Sequence, residues 1–339
     1  MAKNTLIFFV FLLLSLVITW PLILNLNTLI IDLHDGLLIT WIINWFSHHY
    51  SLLGNIFYPY HETLAYSDFH LASVLIAAPF LWIFKEPLLA FNLNLILGFT
   101  LTGFSTYLLS KYLTKKEPVS FFSGVLLTFS TIHLNYMAHL QLFHLWLIIF
   151  PLLFLFQNKI KPFLFFFVLA VLNSPLNFYI LLFLGIILRR NIHWFLIAAM
   201  LSSLFLIPYL RVSDVFKYSR PITDAIHFSL QFADILNVSV YSNLSKIFPQ
   251  NLGTPAYLGG TFLLIFLITI RKIKPSPWIY GAVGSFILAL GPALHFFRNT
   301  IHLGPIPFIP LPYALFYYLL PGFSGFRTPS RWIILTAFS

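Results

Sequence analysis

The chain has no cysteine, and that absence excludes disulfides, thiolate nucleophiles and Cys-ligated zinc together. Charge is nearly as scarce: 8% of the 339 residues are Asp, Glu, Lys or Arg, against about 25% in an ordinary soluble domain. Carboxylates are the rarest class, nine in all against nineteen Lys and Arg. Internal repeats and low-complexity linkers are also missing. What fills the chain is apolar, 59% of its residues, in runs that repeatedly approach the ~20 residues needed to cross a bilayer. These features predict an all-α, polytopic transmembrane bundle of about nine or ten spans, built as a single module over residues 1–339.

The formal charge of +10 would suit a nucleic-acid partner, but its distribution does not. Lys111, Lys115 and Lys116, then Lys159 and Lys161, then Arg189-Arg190, then Arg271, Lys272 and Lys274 sit in short clusters between apolar runs. That is the positive-inside pattern of a multi-pass protein in the plasma membrane with a cytoplasmic N-terminus. Membrane lipids, not nucleic acid, are the expected surroundings; protein partners leave no signal. The first run follows Lys3 as a signal peptide would, but no small-residue cleavage site follows. Thr5–Leu24 is therefore expected as an uncleaved span.

Further spans are expected at Leu88–Leu109, Val119–Met137, Leu140–Phe156, His193–Leu210, Leu258–Ile270 and Trp278–Leu294. Pro162–Leu188 is uncharged throughout, and a break at Asn173-Ser-Pro-Leu-Asn177 would divide it into two short helices and keep Arg189-Arg190 inside. Three outer regions then follow: 25–70, 211–257 and 295–330. In the first, Gly36–Tyr50 reads as an amphipathic interfacial helix. Leu37, Leu38, Trp41, Ile42, Trp45 and His49 fall on one face, with Thr40, Asn44, Ser47 and His48 opposite. Phe69–Phe84 is a second juxtamembrane or re-entrant piece. The apolar run that ends at Ser339 is too short to span, so the chain is expected to continue.

The 25–70 region holds four of the nine acids and five of the twelve histidines. Asp35 and Asp68 are the candidate catalytic carboxylates, since general-base work needs a carboxylate within reach of a hydroxyl. Each precedes a helix, so helix capping is the competing role for both; Asp32 reads as a solvated loop residue. Trp41, Trp45, Tyr58 and Tyr66 offer apolar faces with polar rims for a sugar. His70, and His139 with Gln141 at a hairpin tip, are further candidates for substrate contact. Arg327 and Arg331 present guanidinium forks suited to a phosphate. Asp35, Asp68 and His70 carry oxygen and nitrogen ligands for a divalent metal, but their spacing fits no metal motif; no cofactor is expected.

The segments HDGLLITWIINW (34–45), NIFYP (55–59), LAYSDFHL (64–71), HLQLFHLW (139–146) and PGFSGFRTPSRW (321–332) come in an order that resembles the GT-C superfamily. These are polyprenyl-phosphate-sugar-dependent membrane glycosyltransferases, here in the broad bacterial group with YfhO-like and mannosyltransferase-like proteins. The resemblance implies a polyprenyl-phosphate-linked sugar donor arriving from the bilayer, Asp35 at the position of the catalytic acid and Asp68 as a second loop acid. The rival is a transporter or lipid flippase without catalysis. Such proteins place ionisable residues inside their spans, and the spans expected here hold no Asp, Glu, Lys or Arg.

Overall fold

The computed structural model describes residues 2–49, 51–216, 220–247, 253–260, 264, 268, 274–296, 299–301 and 308–339. It is helical apart from one antiparallel pair, β1 (His295–Phe296) with β2 (Asn299–Thr300). Two compact units divide the chain: residues 1–129 with 136–214, and residues 130–135 with 215–339.

The first unit is built around α4 (Pro87–Thr114), the longest helix. Lys85-Glu86-Pro87 and Lys116-Glu117-Pro118 start α4 and α5 (Glu117–Thr128) alike, with proline in the first turn where its missing N–H costs nothing. Against α4 pack α1 (Ala2–Ile18), α5 and α8 (Trp146–Phe156). The buried part of α4 mixes Phe91, Leu95, Phe99 and Tyr107 with polar residues: Asn92, Asn94, Thr100, Thr102 and Ser105 are fully buried. On α1 the exposed stripe is Leu6, Phe9, Leu13 and Val17, each more than half exposed, while Ser15 is buried and meets Thr100 at 3.2 Å. Small residues let these helices close up. A Cβ on Gly103 would stand 2.3 Å from the Phe11 ring, and one on Gly124 would stand 2.8 Å from the Gly103 carbonyl.

One end of this unit collects its cations. Glu117 bridges Lys3 and Lys111, both at 2.8 Å. At the same end as the C-terminus of α8, Arg190 reaches the Phe156 carbonyl at 3.4 Å and the Asn158 side chain at 3.2 Å. The expected break therefore exists: α9 (Ile160–Asn173) and α10 (Leu176–Leu188) leave from one end and return to it. Asn177 seals the bend by donating to the Ala170 carbonyl at 2.9 Å.

Among the described residues, two helices are long and apolar enough to cross a membrane, Pro87–Thr114 and Ile192–Val215. The latter is α11 (Ile192–Ser203), a tighter turn at Leu204–Leu206 and α12 (Ile207–Val215). Six further apolar helices are 10–17 residues long, α3 (Leu71–Phe84) among them. Two expected spans are shorter than the apolar runs that suggested them. Val119–Met137 stops as a helix at Thr128, because Ser130 instead caps α6 (Thr131–Leu134) by accepting the His133 N–H. Leu140–Phe156 is interrupted between α7 (Leu140–Phe143) and α8, where His144 turns its ring to accept the Trp146 indole N–H at 3.0 Å. The expected span Leu258–Ile270 lies mostly outside the described residues, as do Arg271 and Lys272.

In the second unit, α13 (Ile222–His227) is followed by a 3-10 turn, Phe232–Leu236, with a capping box between Gln231 and Asp234. Asn237 is 1% exposed and holds the Gly253 carbonyl at 2.8 Å. The helix α14 (Pro277–Ala289) packs on the last helix, α16 (Ile333–Phe338), with Ser285 and Thr336 hydroxyls 2.9 Å apart. Between them α15 (Pro312–Leu319) is pinned by Tyr313, which donates to the Phe326 carbonyl at 2.7 Å.

Candidate active site

Both acids of interest lie at the end of the first unit opposite its cation cluster, in the chain between α1 and α3. Asn92 of α4 fixes the start of that chain, donating to the carbonyls of Leu26 (2.8 Å) and Leu29 (2.7 Å). The helix expected over Gly36–Tyr50 follows as α2 (Asp35–His49). Its first turn is not capped by Asp35. Asp32 does that work, accepting the N–H groups of His34 at 2.8 Å and Gly36 at 3.3 Å. Partial burial pushes the Asp32 carboxyl up, but the N–H bonds of His34, Gly36 and Asp35 outweigh it and hold the group below its usual range. Asp32 is thus a structural cap, not a solvated loop residue. Asp35 stands one turn along with its carboxylate 56% exposed and 3.4 Å from His139 Nε2.

The helix also rotates relative to the expected face. Gly36, Ile39, Thr40, Ile42, Ile43 and Ser47 are buried, Ile42 alone from the expected apolar face, while Leu37 and Leu38 are exposed and Trp41 and Trp45 partly so. Thr40 and Ser47 tolerate burial because their hydroxyls donate to the carbonyls of Gly36 (2.8 Å) and Ile43 (2.7 Å). The buried face thus carries Ile39, Ile42 and Ile43 together with two self-satisfied hydroxyls, and Leu37 and Leu38 are left outside it.

Asp68 does not cap α3 either: the cap position belongs to His70, with left-handed backbone at φ 54°. Asp68 instead accepts the Ser174 hydroxyl at 2.8 Å, at the bend between α9 and α10. The adjoining Asn173 gathers three segments. Its carbonyl takes the His70 N–H at 3.2 Å, its side-chain oxygen the Ser73 N–H at 3.3 Å, and its amide donates to the Gln141 carbonyl at 3.4 Å. His70 and Gln141, expected to line the substrate, are enclosed here at 0% and 9% exposure. Neither ring nitrogen of His70 has a hydrogen-bond partner. Burial first, and then the neighbouring His139, push its imidazole down to about 3, so it stays neutral at physiological pH. His139 thus stands near both an exposed carboxylate, Asp35, and an enclosed imidazole, His70.

The expected aromatics are distributed along the chain between the acids. Trp41 stacks on Trp45 at 6.1 Å between ring centroids and backs onto Gly54, where a Cβ would come within 3.1 Å of its ring. The Trp45 indole donates to the Leu53 carbonyl at 3.0 Å and lies over His49 at 3.8 Å. Tyr58 is 95% exposed, and Tyr66 rests on Phe57 at 5.0 Å. An ion pair that the sequence did not announce ties this chain down: Glu62 meets Arg211 at 3.0 Å. The separation of 149 residues explains why no local pattern pointed to it.

Arg327 and Arg331 belong to the second unit. The Arg327 guanidinium lies 5.3 Å from the centre of the Phe228 ring, and Arg331 sits in the turn Pro329–Trp332 that leads into α16. Among the described residues, no three His, Asp or Glu side chains gather closely enough to hold a metal ion. No family model, no curated protein and no solved structure matches the chain.

Proposed function

We propose that the protein is a polytopic plasma-membrane glycosyltransferase, N-terminus cytoplasmic. It would move a sugar from a polyprenyl-phosphate donor to an acceptor hydroxyl on the outer face, with Asp35 as general base. The membrane part of this reading is supported by two helices long and apolar enough to cross a membrane and by outward apolar stripes such as Leu6, Phe9, Leu13 and Val17 of α1. The observation that carries the catalytic part is the release of Asp35 from capping. With Asp32 occupying the N–H groups of the first turn, the Asp35 carboxylate is left exposed and faced only by His139 among the ion pairs of the site.

The chemistry asks for little more. A lipid phosphate is already a good leaving group, whereas the acceptor hydroxyl must lose its proton as it attacks. Asp35 takes that proton, the acceptor oxygen bonds the anomeric carbon, and the bond from that carbon to the phosphate oxygen breaks with its electron pair on the phosphate. One direct displacement inverts the anomeric configuration. His139, 3.4 Å from one carboxylate oxygen, orients the base; Asp68, tied to Ser174, is the second and less exposed acid.

Cells that lack the protein, complemented with variants, test this by mass spectrometry of glycolipids and surface glycans. Asp35→Asn should insert normally and lose transfer by ~10²–10⁴, the usual cost of a general base. Asp32→Ala should lose only about 1 kcal/mol of stability, the value of a cap, and restore the glycan. A glycan restored by Asp35→Asn removes the base from this residue. A deletion that alters no glycan removes the transferase reading and leaves the transporter.

A further inference from the structure

At the other end of α2 an open groove of about 760 Å³ runs between the last turns of α2 and α3 and the start of α4. Its wall brings together His48, His49, Lys85, Asn44, Trp45 and Trp82 and contains no carboxylate. We propose that this groove holds the phosphate headgroup of an anionic membrane lipid.

The histidines are set for it. His48 Nδ1 meets the Asn44 carbonyl at 2.8 Å and His49 Nδ1 meets the Trp45 carbonyl at 2.9 Å. A carbonyl only accepts, so Nδ1 carries the proton in both rings and Nε2 is the nitrogen left for a ligand. When the ring is charged, Nε2 donates to a phosphate oxygen. Lys85 adds a full cation from a left-handed position at the end of α3, φ 57°. The two indoles supply what the glycerol and upper acyl chain need, since tryptophan favours the lipid–water boundary; Trp82 is 56% exposed.

The occupant is not the sugar donor's phosphate. His48 and His49 lie 13 and 14 residues beyond Asp35 on one helix, about 20 Å at 1.5 Å per residue. A donor phosphate sits one C–O bond from the anomeric carbon and cannot be there while Asp35 takes the acceptor's proton. The groove therefore binds a second, structural or regulatory lipid. This inference rests on the membrane reading and not on glycosyl transfer.

Quenching of tryptophan fluorescence by brominated lipids tests it in the full chain reconstituted into nanodiscs. Brominated phosphatidylcholine reports embedding alone. Brominated phosphatidylglycerol, diluted into phosphatidylcholine, should quench at several-fold lower mole fraction. That preference should vanish in the triple variant His48→Gln, His49→Gln, Lys85→Gln and in Trp45→Phe/Trp82→Phe, and survive in Lys85→Arg. Equal quenching by both lipids, or a preference untouched by the triple variant, overturns the proposal. Displacement of the preference by millimolar inorganic phosphate would make the ligand a free anion and overturn the lipid assignment. Absence of quenching by either lipid would instead remove the membrane reading.

Discussion

Glu117 shows how one residue's surroundings set a measurable response. Hydrogen bonds from Lys111 and Lys3 draw its carboxyl from an ordinary 4.5 down to about 2. A depressed carboxylate contributes stability above its unfolded value and loses it as pH falls through the folded one. Thermal melting in detergent should therefore weaken from about pH 4.5 to about pH 2, and Glu117→Gln should flatten that part of the curve. A variant with the wild-type acid limb would place the loss elsewhere. The sequence named both Asp35 and Asp68 but not their states. Two aspartates three residues apart compete for one set of helix N–H groups, and loop geometry decides the winner, so Asp32 could not be told from Asp35 in advance. His70 was legible as a polar residue beside Asp68, and Gln141 as one at a hairpin tip with His139. Their enclosure was not, because it is made by Asn173, far along the chain from both.

Elements were legible where a local signal sits on them. Lys-Glu-Pro starts two helices, and Asn-Ser-Pro-Leu-Asn ends one and begins another. The faces of α2 were only partly legible: Ile42 is buried, but Thr40 and Ser47 are buried too, because each hydroxyl is satisfied by a carbonyl one turn back. Small and self-satisfied side chains can serve as packing residues between helices. The contact of α1, α4 and α5 gives this a test. Gly103→Ala drives its new methyl into the Phe11 ring, so it should cost about 1–3 kcal/mol as overpacking does. Phe11→Leu in the same chain should recover much of it. Gly124→Ala meets the Gly103 carbonyl as well as that ring, and backbone cannot step aside. Its loss should persist in the Phe11→Leu background. Melting temperatures of the two double variants separate the cases, and equal rescue would mean that the helices slide apart.

For the molecule as a whole, the proposed topology puts the acid-bearing chain on one side of the membrane and the cation turns on the other. Because the chain has no cysteine, single cysteines report without background. Thr28, Ser242 and Asn299 should label with an impermeant thiol reagent in intact cells; Thr114, Asn191 and Ser276 should label only after lysis. Labelling at 191 from outside would reverse the sidedness of the turn it shares with Asn158. The same chain between α1 and α3 has one more consequence. It is a strap buckled at both ends and pinned between them: Asn92 grips it at Leu26 and Leu29, Asn173 with Ser174 grips it at His70 and Asp68, and Arg211 pins it at Glu62. A guest that needs room cannot lift such a strap away; it can only make the short stretch between Gly54 and Glu62 bulge, around the bare ring of Tyr58. The acids sit close to the buckles, so they hold their positions while the middle gives.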